Sequence, residues 1–288
     1  MNESGTTLQH LRDEIDAIDT EMHGLIRRRA SLVDQIRAVK ARDSITTVRP
    51  GREADILRAL AARHDGRFPF AAVARIWREI IAGITRMEMP EYAVAVHTGG
   101  DVPGCWDLAR DQFGSATPMT PFATAREVLG EIAANRAIIG VLPYPSEADG
   151  DPWWTNLSLQ DGVRVSYRLP FTPPDVPATG AAPAEALAVG RIVPETSDHD
   201  QALATVETQE TVSRAALGSL MERVGLQGKR IASHQNGLWF HLVEIEGYVE
   251  DDDPRLTELA RLEGVERAVL IGAYAAPIAA PPSREETP

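Results

Sequence analysis

Six charged side chains stand at informative positions in the first ninety residues. They are four cations and two carboxylates: Arg12, Arg29, Lys40, Arg52, Glu53 and Glu88. Arg29 is the most informative, because it is the one charged residue in a row of apolar residues spaced alternately four and three apart. A guanidinium on a helix packing face is costly unless an anion meets it there. The pattern predicts a site that holds a small anionic molecule between helices.

The apolar row around Arg29 predicts one long helix, from Leu8 to about Ala41. The other members of the row are Leu11, Ile15, Ile18, Met22, Leu25, Leu32, Ile36 and Val39. Two shorter helices are expected after Pro50 and after Pro69, since proline suits the start of a helix. Two short helices cannot cover so long a seam, so this unit is expected to dimerise.

Arg12 and Lys40 share a helix face but cannot serve one site within one chain. They are roughly 42 Å apart along the axis at the rise of an α-helix. An antiparallel dimer would bring Arg12 of one chain near Arg29 and Lys40 of the other. Two arginines would then clamp two carboxylates through paired N–H donors, which suits a dicarboxylate ligand.

Composition restricts the class of protein. The net charge of −13 makes nucleic acid an unexpected partner. We expect no membrane association, because no apolar run is long enough to span a bilayer. The single cysteine, Cys105, fits a reducing compartment, so a cytoplasmic protein is expected. We expect no metal and no cofactor, and we interpret arginines such as Arg58 as solvated helix surface.

The spacing of apolar residues along the chain changes after Glu88. Residues 91–200 predict a reduced α/β lobe of order βααβ, followed by a long loop in which a strand could form at residues 163–169. From Ala202 the expected order is βαββαβ, the ferredoxin-like α+β order. We therefore expect a multidomain protein. Its expected units are a helical unit (residues 8–89), the α/β lobe (91–200), a ferredoxin-like domain (201–276) and a disordered tail (277–288).

Five features of the helical unit, taken in order, resemble the all-helical class of chorismate mutase. They are Leu-Arg-Asp-Glu-Ile-Asp-Ala-Ile-Asp (11–19), Leu-Ile-Arg-Arg-Arg (25–29), Lys40, Arg-Pro-Gly-Arg-Glu (49–53) and Trp-Arg-Glu-Ile-Ile (77–81). Two residues depart from the family pattern. Arg49 stands where Asp is common, and Ile84 stands where a small polar residue is common.

The resemblance implies the pericyclic rearrangement of chorismate to prephenate, which needs no nucleophile and no metal. Arg12 and Arg29 would bind carboxylates, and Arg52 would orient a carboxylate or the chain. Glu53 would accept a hydrogen bond from the ring hydroxyl. Lys40 would donate to the ether oxygen as the C–O bond breaks, and Glu88 would be a second donor when protonated.

The later units more faintly resemble a prephenate dehydratase followed by an ACT domain. Gly-Val-Leu-Pro (140–143) resembles a dehydratase strand end, but Tyr-Pro-Ser follows instead of Glu-Asn-Ser. The catalytic Thr-Arg-Phe triplet of that family is missing, and Ala-Leu-Ala-Val (186–189) is its nearest counterpart. We therefore expect a mutase without dehydratase activity. The alternatives are a bifunctional mutase/dehydratase and a non-enzymatic ACT-type amino-acid sensor.

Overall fold

The structure is a computed structural model. It describes residues 7–40, 47–100, 104–147, 151–159, 162–172 and 184–278. Most of the expected disordered tail lies outside these residues. Its first part does not fit that expectation, because the Ile278 amide donates to the Phe171 carbonyl at 2.8 Å. Within the described ranges, no helix is long and apolar enough to cross a membrane.

The first unit consists of three helices, as the sequence predicts: α1 (Leu8–Lys40), α2 (Pro50–Arg63) and α3 (Phe70–Glu88). Pro50 is the first residue of α2, and Pro69 is the N-cap of α3. Both positions suit a residue that has no backbone N–H. α1 contacts α3, and α3 in turn contacts α2. The C-terminal part of α1 thus shares a cavity with the other two helices.

In the parts of the chain after α3 that the structure describes, the strands, numbered in chain order, form one nine-stranded mixed sheet with the order β2-β1-β3-β5-β4-β9-β6-β8-β7. Its first half contains β1 (Val94–His97), α4 (Cys105–Phe113), β2 (Met119–Phe122), α5 (Ala125–Ala133), β3 (Ile139–Pro143), a 3₁₀ helix (Trp153–Leu159), β4 (Arg164–Leu169) and β5 (Ala186–Gly190). The expected order βααβ omitted β2. That strand is a short edge strand containing Pro121, which weakens its sequence signal.

The second half of the sheet has the predicted order βαββαβ. Its elements are β6 (Asp200–Thr208), α6 (Arg214–Arg223), β7 (Gly228–Asn236), β8 (Leu238–Glu246), α7 (Pro254–Leu259) and β9 (Val265–Ala275). β6 lies between β8 and β9 and is antiparallel to both. Apolar residues of α6 and α7 pack with one face of these strands, which gives this half a core of its own.

A parallel contact between β4 and β9 joins the two halves of the sheet, with Val165 opposite Gly272. A Cβ atom on Gly272 would lie 2.2 Å from the Val165 carbonyl oxygen, so only glycine fits this approach. Leu187 and Val189 also share a core cluster with Leu203 and Ile271. The sheet is therefore continuous across residue 200.

The helical unit is docked on this sheet through α2. Leu57 is fully buried in a cluster with Phe171 and Ala275. Arg58, expected to be solvated, instead donates to the Ser197 hydroxyl at 2.8 Å and to the carbonyls of His199 and Ala276 at 2.7 and 2.8 Å. Its interpretation as solvated surface was wrong, because α2 packs against a sheet that the local pattern does not reveal.

Candidate active site

A cavity of about 360 Å³ lies between α1, α2 and α3. Its lining contains four of the six predicted site residues: Arg29, Arg52, Glu53 and Glu88. The other lining residues are Leu32, Val33, Ile36, Thr47, Arg49, Ile56, Ile81, Ile84 and Thr85. The cavity therefore combines apolar walls with two predicted cationic and two predicted carboxylate ligands. Apolar walls strengthen electrostatic interactions made inside such a cavity.

Arg29 enters the cavity from α1 with an unmet hydrogen-bonding capacity. Its Nη1 atom is buried and has no hydrogen-bond partner within the ranges that the structure describes. Burial lowers the pKa of the guanidinium, and the positive charge of Arg52 lowers it further. A half-buried cation beside a second cation is unfavourable unless an anion binds between or beside them. The two arginines thus create a place suited to a carboxylate.

Glu53 faces the cavity from the first turn of α2, and two donors hold its carboxylate. Arg78 Nη1 donates to Oε2 at 2.8 Å, and the Tyr167 hydroxyl donates to Oε1 at 3.2 Å. Burial raises the pKa of Glu53, while the charge of Arg78 and both hydrogen bonds oppose that rise. Each carboxylate oxygen has a second acceptor position, so Glu53 can still accept from a ligand.

Sequence reasoning did not identify Arg78 and Tyr167 as parts of the site. The apolar stripe of α3 predicts one packing face, but the most buried residues of that helix are Ala74, Arg78, Ala82 and Thr85. Arg78 therefore sits among small residues at intervals of four, four and three. That spacing could have indicated a buried charge. Nothing local indicates Tyr167, which comes from β4.

Of the other two predicted residues, Arg12 does not line the cavity within one chain. Arg12 is exposed on α1, roughly 25 Å from Arg29 along the helix axis. Lys40 is the last residue of α1, and its side chain lies outside the described part of the chain. Their assignment to the site therefore remains a prediction.

The two departures from the family pattern have different surroundings. The Arg49 Nε donates to the carboxylate oxygens of Glu195 at 2.8 and 3.1 Å, so its charge is used to dock α2. Ile84 lines the cavity and adds apolar surface where a polar contact would otherwise be available. Neither change removes a cation from the cavity.

Comparisons with known proteins find matches to the helical part of the chain. Residues 11–89 match the family model for chorismate mutase type II. A bifunctional chorismate mutase/prephenate dehydratase of Aquifex aeolicus is 30% identical over 167 residues, which cover 56% of this chain and 46% of that protein. One from Pseudomonas aeruginosa is 30% identical over 148 residues, covering 50% of this chain and 40% of that protein.

The chain thus spans about half the length of these relatives. Among solved structures, prephenate dehydratase from Streptococcus mutans superposes with a TM-score of 0.46 and 16% identity, covering 64% of this chain and 98% of that chain. The matched residues cover most of α1 and all of α2 and α3, which are the helices that enclose the cavity. Residues 11–89 are therefore similar to the type II chorismate mutase family, over the three helices that enclose the cavity.

Proposed function

We propose that this chain catalyses the rearrangement of chorismate to prephenate in the cavity between its three N-terminal helices. The observation that carries the proposal is the buried, unpartnered Nη1 of Arg29 beside Arg52. Chorismate is a dicarboxylate, and a guanidinium binds a carboxylate through two parallel hydrogen bonds. The binding of chorismate would bring a carboxylate to the unpaired donor of Arg29.

The reaction requires a compact substrate conformer and stabilisation of charge on the breaking ether bond. In the proposal, Arg29 and Arg52 hold carboxylate or chain groups, and Glu53 accepts from the ring hydroxyl. Glu88 lies at the end of α3 on the cavity wall. Glu88 in its protonated form and Lys40 would donate to the ether oxygen.

We further propose that the working unit is a homodimer in which Arg12 comes from the partner chain. The apolar row of α1 supports this, because Ile15, Ile18 and Leu25 are 57%, 56% and 55% exposed in the single chain. A continuous apolar stripe of this length is characteristic of a protein interface. A second α1 packed antiparallel along the stripe would cover it and would carry Arg12 toward the cavity.

A mixing experiment tests the shared site. Arg12→Ala and Lys40→Ala chains are each expected to be inactive. After subunit exchange, their mixture should recover about a quarter of wild-type activity, because half the dimers are mixed and each has one intact site. The matched control mixes Arg29→Ala with Lys40→Ala, which damage the same half of the site and should restore nothing. Verified exchange without recovery in the first mixture would rule out the shared site.

The proposal also restricts the reaction to the mutase step. The segment that stands in place of the dehydratase triplet is β5, whose five residues, Ala186–Gly190, are buried and carry no polar side chain. The curated relatives are named as bifunctional enzymes, so a mutase/dehydratase is the main alternative. An ACT-type sensor is less favoured, since a sensor has no need of two neighbouring arginines in a helical cavity.

Product analysis distinguishes these functions. Purified chain incubated with chorismate at neutral pH should accumulate prephenate, as followed by NMR. Phenylpyruvate should not form above the rate seen without protein. Phenylpyruvate that increases in proportion to the protein concentration would establish the bifunctional alternative. An absence of both products would favour the sensor.

A further inference from the structure

The wall of the cavity is held by groups outside the helical unit. Three contacts fix the first turn of α2 to the rest of the chain. Arg49 is paired with Glu195, and Tyr167 donates to Glu53. The third is backbone packing, since a Cβ atom on Gly51 would lie 3.0 Å from the Thr196 carbonyl oxygen. The residues that face the cavity from α2 therefore take their position from the sheet as well as from the helices.

Both donors to Glu53 are themselves immobilised. The Arg78 side chain is 5% exposed, and its guanidinium lies 5.4 Å from the centre of the Phe171 ring. Tyr167 is 6% exposed, and its ring meets that of Phe113 edge-on with centroids 5.3 Å apart. Such packing restricts both side chains to one orientation. The donors can therefore fix the direction in which the Glu53 carboxylate points.

The two donors contribute differently. Arg78 offsets the negative charge of Glu53 and occupies one acceptor position of Oε2. Tyr167 occupies one acceptor position of Oε1 without altering the charge. A carboxylate held at both oxygens cannot rotate about its Cγ–Cδ bond without losing a hydrogen bond. It therefore presents its free acceptor positions in a fixed direction, as a site that binds one hydroxyl requires.

We propose that Tyr167, a residue of the central sheet, is a positioning residue of the mutase cavity that orients Glu53 toward the hydroxyl of the substrate. This inference rests on the proposed mutase function. It assigns part of the site to β4, which pairs with β5 and β9 and belongs to neither the three helices nor the family match at residues 11–89.

The test compares two tyrosine variants of the full chain. Tyr167→Phe removes only the hydroxyl, and we expect kcat/KM for chorismate to fall about tenfold, mostly through KM, because the ring hydroxyl is not at the breaking bond. Tyr274→Phe is the matched control. Its hydroxyl is also buried in this sheet and also donates to a buried carboxylate, Glu244, but it lies away from the cavity. Its kinetic constants should equal those of wild type.

A double-mutant cycle separates positioning from general stability. If Tyr167 acts through Glu53, Tyr167→Phe should have no further effect on KM in a Glu53→Ala background, which has no acceptor for Tyr167 to orient. An unchanged KM in the single variant, or an equal tenfold loss in both backgrounds, would overturn this inference and leave the mutase function intact. A wild-type chain that does not convert chorismate would instead overturn the proposed function. If Tyr167→Phe does not fold, Phe113→Leu replaces it in the same cycle, because it loosens the packing of the Tyr167 ring without removing the hydroxyl, and a smaller rise in KM is expected. An unchanged KM in that variant would also count against the positioning role.

Discussion

An Arg29→Ala variant is expected to lose about a thousandfold in kcat/KM for chorismate, which corresponds to roughly 4 kcal/mol. The loss follows from removing a guanidinium that would reach a substrate carboxylate inside a cavity with largely apolar walls, where the ion pair is stronger than in bulk water. Arg29→Lys keeps the charge but loses the planar pair of donors, so it should recover part of the activity. Steady-state kinetics with purified full-length chains measure both effects.

Stability should respond to the same change in the opposite way. Arg29 has no partner for Nη1 in the described ranges and lies close enough to Arg52 to be repelled. Removing an uncompensated buried charge should leave the free energy of unfolding, measured in urea without ligand, unchanged or higher. Arg28→Ala is the control, because Arg28 is exposed on the same helix and should affect neither quantity. Loss of activity that parallels loss of stability would make Arg29 a structural residue.

Glu88→Ala is expected to lower kcat by the equivalent of roughly 2.7–4 kcal/mol, the cost of removing one oxyanion-hole donor. The proposed task of Glu88 is to donate a hydrogen bond to the ether oxygen, which an ionised carboxylate cannot do. Glu88→Gln keeps a neutral donor at this position, so it should retain much more of the wild-type kcat than Glu88→Ala. Steady-state kinetics of the two variants measure the difference.

The second carboxylate of the cavity gives the activity a pH dependence. Glu53 accepts most strongly from the ring hydroxyl when it is ionised, and burial raises the pKa of Glu53. Its protonation should therefore lower activity as the pH falls, and Glu88→Gln should retain this acid-side loss. A Glu88→Gln variant as slow as Glu88→Ala would exclude Glu88 as the donor and leave it a solvated carboxylate.

The parts of the fold that sequence predicts are those with strong local signals. The alternating row of α1, the prolines before α2 and α3, and the βαββαβ order of the second half all depend on residues close in the chain. The joining of the two halves of the sheet depends instead on residues that are far apart in the chain. The close approach of Val165 and Gly272 brings together strands more than a hundred residues apart. A single glycine in a strand does not indicate which other strand will pair with it.

The residues of the candidate site divide in the same way, into those with a local sequence signal and those without one. Arg29 is identifiable because a charge interrupts an apolar row, and the structure places it in one cavity with Arg52, Glu53 and Glu88. The partners that hold Glu53 were missed, because Arg78 is 25 residues away and Tyr167 is 114 residues away. Arg49 could be recognised as a departure, but its pairing with Glu195 depends on tertiary packing.

The position of a bound dicarboxylate is the most direct test of the account. A crystal structure of the full chain with a rigid dicarboxylate analogue of the transition state should show one carboxylate on Arg29 Nη1, at the hydrogen-bonding distance of roughly 2.9 Å. The ring hydroxyl should lie on Glu53, and the second carboxylate should meet Arg12 of a partner chain. An analogue bound outside the cavity between α1, α2 and α3, or bound within it without contacting Arg29, would contradict the account.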